Sequence, residues 1–298
     1  MGPALRAIEH RGPDDSGTYA SPSTGVVLGN RRLAIIDLSS AGHMPMGNED
    51  GSVWVTYNGE IYNAPALRAE LEARGHAFAS NADTEVLVHG FEEWGSELPL
   101  RLNGMFAFGA WNERTGELLI ARDHLGIKPL YYREDAGALV FASEAKSLFA
   151  GGLAGQVLNV AALPKYLTYL WTPAPETLIE GVLKLPPGHL IEWRNGITQV
   201  REYWDLRLEP DAALREHEHI EALRDALVDS VRRQLRSDVP VGLLLSGGLD
   251  STGLLALVAR ERTEPVDCFT IAFRAEDAVL EQCPDEHKYA RRAAEHFG

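Results

Sequence analysis

Hydrophobic and polar positions change rhythm partway along the chain. In the first two-thirds, short stretches of alternation dominate. "GVVLGNRRLAIIDL" predicts two strands, followed by a loop containing His43, Met44 and Pro45. "SVWVTYNGEIY" alternates with the period of two expected of a half-buried strand and turns at Asn58-Gly59. "NGMFAFGAWNERTGELLIARD" predicts a hairpin turning near Arg114-Thr115-Gly116, and "GALVFASEAKSL" a strand running into a short helix. Two helices interrupt the strands. "APALRAELEARG" has apolar residues at helical spacing and closes at Gly75, a plausible C-cap. "NADTEVLVHGFEEWG" opens with the capping-type residues Asn81, Asp83 and Thr84. Strands and helices in blocks, joined by hairpins, predict a layered α+β domain instead of alternating βαβ units.

After Tyr203-Trp204-Asp205 the texture shifts. "LRLEPDAALREHEH" is polar and reads as a linker. Ile220, Leu223, Leu227, Val231 and Leu235 then recur at the spacing of an amphipathic helix, which Pro240 stops. "VGLLLS" is apolar at nearly every position, as in a parallel strand buried on both faces. A helix, a second such strand "VDCFTIAF" and a last helix "DEHKYARRAAEHFG" follow. This is the beginning of an open α/β domain, and two strands fall short of a stable sheet. The expected division is residues 1–205, a linker over 206–217, and 218–298.

Bulk properties narrow the picture only slightly. The 298 residues suit about two domains. A net charge of -15, with no long Lys/Arg run, argues against nucleic acid as a partner. Two cysteines, Cys268 and Cys283, are too few for a disulfide framework, so a reducing, cytoplasmic setting is expected. No signal peptide and no uninterrupted apolar run long enough to span a membrane is evident. His10, His43, His89 and His124 show no metal-ligand spacing, and Trp54, Phe106, Phe108 and Trp111 read as core.

The sharpest chemical signal is "LLLSGGLDS", Leu243 to Ser251, where a strand gives way to a helix. Gly247 and Gly248 let the backbone turn so that several N–H groups face one anion, and the helix N-terminus adds partial positive charge. Ser246 and Ser251 offer hydroxyl donors. Asp250 repels a phosphate directly but suits a Mg²⁺ ion bridging to it. The loop lacks the lysine and spacing of the G-x-x-x-x-G-K-[ST] cradle. "SGGLDS" resembles the pyrophosphate loop of ATP pyrophosphatases. The resemblance implies ATP at Leu245, Ser246, Gly247, Gly248, Asp250, Ser251 and Ile271, with Mg²⁺ on Asp250.

A second resemblance covers the front. "HRGPDDSG", "RRLAIID", "YNGEIYN", "NADTE", "LNGMFAF", "ARDHLGIKPLYY" and "ASEAKSL" come in the order seen in glutamine-hydrolysing asparagine synthetases. That resemblance implies a class II glutamine amidotransferase domain, an N-terminal-nucleophile hydrolase sandwich of αββα layers, followed by the start of a Rossmann-like adenine-nucleotide domain. It implies glutamine binding at Arg32, Leu33, Ala34, Ile35, Ile36, Asn58, Gly59, Glu60 and Asp83. Arg32 suits a two-bond grip on the α-carboxylate. Glu60 and Asp83 suit the ammonium, and Asn58 with the Gly59 N–H suits an oxyanion hole. The implied reaction amidates aspartate through a β-aspartyl-AMP intermediate, with ammonia passing internally from glutamine; a homodimer is one assembly open to it.

The family's nucleophile is a cysteine at the mature N-terminus, acting with its own α-amine as base. This chain opens "MGPALRAIEHRGPDD" and has no cysteine before Cys268. The expectation is therefore a domain lacking its first strand and nucleophile, inactive as a synthetase. The alternatives are an ATP-dependent enzyme of the β-lactam synthetase kind without glutaminase activity, and a non-catalytic glutamine-binding module. Residues that would select the acceptor are expected beyond Gly298.

Overall fold

The computed structural model describes residues 1–135, 137–210, 213–272 and 287–297. They divide into two compact units, Met1–Arg207 and Leu208–Gly298. The front unit is layered helix, sheet, sheet, helix. Its main sheet has six strands in the order β11-β10-β6-β5-β4-β3. These are β3 (Met46–Gly47), β4 (Val53–Ile61), β5 (Gly104–Asn112), β6 (Glu117–Arg122), β10 (His189–Arg194) and β11 (Ile197–Glu202). The other sheet layer consists of the ribbon β1 (Asp15–Ala20) with β2 (Val27–Arg32), and the set β8-β7-β9. The latter are β7 (Tyr131–Asp135), β8 (Ala138–Ala142) and β9 (Leu183–Lys184).

Strand alternation builds both interiors. Phe106, Phe108 and Ala110 of β5 join Val53, Val55, Tyr57 and Ile61 of β4 against Leu67, Leu71, Val86, Leu87 and Phe91. The last five lie on α2 (Ala64–Ala73) and α3 (Thr84–Trp94). The opposite face of β5 sends Ala107 and Trp111 toward Leu28, Leu130 and Tyr132 of the other sheet layer. Helices α1 (Gly2–Ala7) and α5 (Ala145–Ala150) pack together outside that layer, joined by a bond from Ser147 Oγ to the Ala4 carbonyl of 2.9 Å. The other short helices here are α4 (Leu98–Arg101) and α6 (Leu163–Tyr169).

Several sequence expectations hold. The hairpin joins β5 and β6 antiparallel, with Gly116 at φ 67°, and α2 is followed by Gly75 at φ 102°. "RRLAIIDL" departs from expectation. Only its first two residues are strand, because the segment leaves the sheet to wrap the Arg32 side chain, with Asp37 at φ 56°. Asp83 also differs. It stands at the N-cap of α3 but its side chain makes no capping bond, being engaged elsewhere.

The rear unit contains α7 (Glu216–Gln234), β12 (Leu243–Leu244), α8 (Leu249–Glu261), β13 (Cys268–Phe269) and α9 (His287–Phe297). The two strands pair in parallel, with Leu243 opposite Cys268. The predicted burial is observed only in part: Leu245 and Val231 are buried, but other positions are not. Leu244 is 79% exposed, and on α7 Ile220, Leu223 and Leu227 are 50%, 61% and 42% exposed, because no described layer covers them. Helix α7 ends at Gln234, ahead of Pro240. Cys283, the end of the second strand pattern and the start of the last helix pattern lie outside the described residues. Among the described residues no helix is long and apolar enough to cross a membrane.

Candidate functional sites

Between the two sheet layers of the front unit lies a cavity of about 440 Å³. Its walls come from β2, β4 and β8, from α1, and from the segment after Arg32. Alternation along β4 explains what faces it. Val53, Val55 and Ile61 point to the helix layer, so Thr56, Asn58 and Glu60 point to the other sheet. Asn30 Nδ2 donates to Thr56 Oγ1 and the Tyr57 carbonyl at 3.2 and 3.0 Å, tying the layers together beside the cavity.

The cavity gathers Arg32, Leu33, Ile35, Ile36, Asn58, Gly59, Glu60 and Asp83. Ala34 is left out of the wall; its N–H donates to Asp14 Oδ2 at 2.9 Å. Arg32 is buried, and its Nη1 donates to the Ser39 carbonyl at 3.1 Å while Nη2 donates to the Ile36 and Asp37 carbonyls. Three of the five guanidinium N–H groups thus hold the surrounding loop, and the two-bond grip on a carboxylate stays an expectation that falls to the remaining donors. Gly42 is required here, since a Cβ would fall on the guanidinium.

Asn58 brings a buried Nδ2 with no hydrogen-bond partner to this wall. Unpaired buried donors are rare and costly, so this amide stands ready for an acceptor. Gly59 next to it leaves no space for a side chain, because a Cβ would collide with the Met105 carbonyl and lie 2.8 Å from Phe106 Cα. Asp83 Oδ2 accepts from the Ile61 N–H at 2.8 Å and the Tyr57 hydroxyl at 2.9 Å. Burial raises the Asp83 carboxyl above its ordinary range against those bonds, and raises Tyr57 well above its own, with Asp83 adding to it. Lys128, which also lines the cavity, is held below its ordinary range by burial and then by Arg11, against Glu60 and Asp123. Sequence reasoning missed Lys128, Arg11 and Tyr57; the alternation of β4 was the available signal for Tyr57 as a link to Asp83.

In the rear unit, Leu245 follows directly on β12 and Ile271 lies two residues beyond β13, the Leu245 N–H donating to the Phe269 carbonyl at 2.8 Å. The turn between β12 and α8 has Gly247 at φ 79°, where a Cβ would meet Ala290 N at 2.5 Å. Ser246 Oγ and Ser251 Oγ lie 3.0 Å apart, and the Gly248 N–H donates to Ser246 Oγ at 3.3 Å. Asp250 is exposed in the first turn of α8. Ile271 is 83% exposed.

The histidines differ in their surroundings. His10 meets Glu144 at 3.1 Å, His43 meets Asp15 at 2.7 Å, and His124 stacks edge-on against Phe106, Tyr203 and Trp204. His89 is buried. Burial alone would lower it, but the Glu85 carboxylate 3.8 Å away and the hydrogen bond with Glu92 outweigh that and lift it to about 9. His89 stands with His76 and Glu92, one ligand atom of each within 4.8 Å of the others, a grouping that sequence spacing alone does not announce. Helical spacing of His89 and Glu92 was the only local signal; His76 arrives from the segment before α3.

Residues 1–204 match the family model described as a glutamine amidotransferase domain. The chain belongs to the glutamine amidotransferase family. Residues 222–298 of this amidotransferase-family chain match the asparagine synthase model. It is 40% identical over 267 residues to asparagine synthetase [glutamine-hydrolyzing] 1 of Bacillus subtilis, covering 89% of this chain and 41% of that protein. It is 32% identical over 302 residues to asparagine synthetase [glutamine-hydrolyzing] 3 of the same organism, covering 98% and 48%. The chain thus spans less than half the length of these relatives. The fold is similar to glutamine phosphoribosylpyrophosphate amidotransferase from B. subtilis, with TM-score 0.51 and 17% identity, covering 94% of this chain and 67% of that one. The front unit accordingly has the αββα layered fold of that amidotransferase.

Proposed function

We propose that this chain is part of a glutamine-hydrolysing asparagine synthetase, its front unit holding glutamine and its rear unit holding ATP. The unpartnered Asn58 amide on the cavity wall carries the first half. An amide carbonyl that gains negative charge during hydrolysis needs donors placed in advance, and Asn58 Nδ2 with the Gly59 N–H suits that purpose. Arg32 answers the glutamine α-carboxylate through its remaining donors. Asp83 and Glu60 answer the ammonium.

The turn from Ser246 to Ser251 fits a polyphosphate: a glycine held at positive φ, two hydroxyls and the N-terminus of a 13-residue helix converge there. Asp250, exposed in the first helical turn, is the residue that would hold Mg²⁺, which neutralises charge on the phosphates. Leu245 and Ile271 would border the adenosine. The acceptor is free aspartate, and the setting is cytoplasmic, with residues 206–217 as the connection between domains. A homodimer is the assembly we would test first.

Residues 1–207 contain no cysteine to act as the nucleophile. The 298-residue chain should therefore bind without turning over. Calorimetric titration with L-glutamine is the test: one site is expected, weakened about 10- to 100-fold in Arg32→Ala, from loss of a charge-assisted contact. No binding heat would overturn the glutamine reading. A coupled assay forming asparagine from glutamine, aspartate and ATP should give no product with this chain; product formation would overturn the assignment of the nucleophile.

A further inference from the structure

We propose that His76, His89 and Glu92 form a binding site for a divalent transition ion of the zinc class, on the helix side of the front unit and independent of the proposed glutamine and nucleotide chemistry. One ligand atom from each residue lies within 4.8 Å of the others. Both imidazoles converge on a single oxygen: Glu92 Oε2 lies 3.0 Å from His89 Nδ1 and 3.8 Å from His76 Nδ1. Tetrahedral bonds of about 2.0–2.1 Å place ligand atoms roughly 3.4 Å apart. The present spacing therefore needs only small side-chain rotations to close.

The surroundings are arranged as they are behind metal ligands. A metal-bound imidazole usually turns its other nitrogen to a carboxylate, which fixes the ring. Behind His89, Glu85 Oε1 lies 3.8 Å from Nε2. Glu85 is itself fixed by the Ala79 N–H at 2.7 Å and the Ser80 N–H and hydroxyl at 2.8 and 2.6 Å. Behind His76, Glu93 Oε2 lies 3.5 Å from Nε2, and Glu93 accepts from Arg74 Nη1 at 2.6 Å. The remaining oxygen of Glu92, Oε1, accepts from Asn48 Nδ2 at 2.7 Å, leaving Oε2 turned to the rings.

Charge and ligand type agree. Glu49 stands 4.0 Å from His89 Nε2, so carboxylates outnumber the one guanidinium, Arg74, in this network. Two imidazoles and one carboxylate favour zinc or cobalt over magnesium or calcium, which prefer oxygen alone. The competing account is a purely hydrogen-bonded cluster that binds no ion.

Chelator-treated full-length chain, titrated with Zn²⁺ alone, distinguishes them. One equivalent per chain is expected, and Co²⁺ should give the visible absorption of a low-symmetry nitrogen-oxygen site. His76→Ala and Glu92→Gln should each weaken Zn²⁺ binding at least tenfold while L-glutamine titration stays unchanged. The proposal is overturned if the parent chain takes up no Zn²⁺, or if the His76→Ala/Glu92→Gln double variant binds as tightly as the parent. Circular dichroism melts check folding. Should Glu92→Gln unfold, the more accessible His76→Asn alone decides, with unchanged affinity counting against the site.

Discussion

The two units use the same kinds of residue to different effect. In the front, leucines, valines and phenylalanines alternate along β4 and β5 and vanish into two interiors, with Phe106 fully buried and Trp111 1% exposed. In the rear, Leu244, Phe269 and Ile271 lie on or beside paired strands yet are 79%, 58% and 83% exposed, and the buried cluster shrinks to Leu245, Leu255 and Ala290. An apolar pattern states which face of an element needs cover. Only a facing layer supplies it, and hydrophobic stabilisation follows the area removed from water.

The largest effect that would break this contrast is folding of the separate units. Residues 1–207 alone should unfold in one cooperative thermal transition, and residues 208–298 alone should show none by calorimetry. A sharp transition in the latter would mean that the small cluster suffices. A milder version compares equivalent residues. Phe106→Ala should lower stability by about 3–5 kcal/mol in urea unfolding of the whole chain, the range for emptying a core phenylalanine site. Phe269→Ala should change it by less than about 0.5 kcal/mol, as exposed substitutions do. Similar losses at the two positions would erase the distinction.

The smallest effect sharpens it within the front unit. Burial raises the Asp83 carboxyl above its unfolded value, so the folded state holds the proton where the unfolded chain has released it. This contribution is fully present below the unfolded value and is lost as pH rises through the folded one. Asp83→Asn keeps an oxygen for Ile61 N and Tyr57 Oη. It should therefore raise the unfolding midpoint at pH 7 and flatten that part of the pH profile, while weakening L-glutamine binding about tenfold. A lower midpoint at pH 7 would show that the charge, despite burial, stabilises the unit.

Local chemistry was legible before the fold. Asn58-Gly59 reads as a turn but is not one, since β4 runs through both to Ile61, paired with β5; "SGGLDS" does sit between a strand and a helix, so in both places neighbours in sequence are neighbours in the site. The loop after Arg32 was illegible as such. Its apolar residues suit a strand, and only the guanidinium at its centre, bonded to Ile36, Asp37 and Ser39 carbonyls, makes it wind instead. Asp83 looked like a cap because its residue type suits one, whereas a buried tyrosine hydroxyl and a strand N–H claim it. The meeting of His76 with His89 depends on how the segment after α2 returns to α3, a tertiary fact with no local period.

The hydroxyls of Ser246 and Ser251 are already bonded to each other, and Ser246 Oγ also receives the Gly248 N–H. An arriving anion must therefore trade for these contacts instead of adding to an empty set, and one oxygen has little to offer in exchange. If the turn holds a nucleotide as proposed, a chain of phosphates, which presents many oxygens at once, would gain more from such a trade than a lone phosphate.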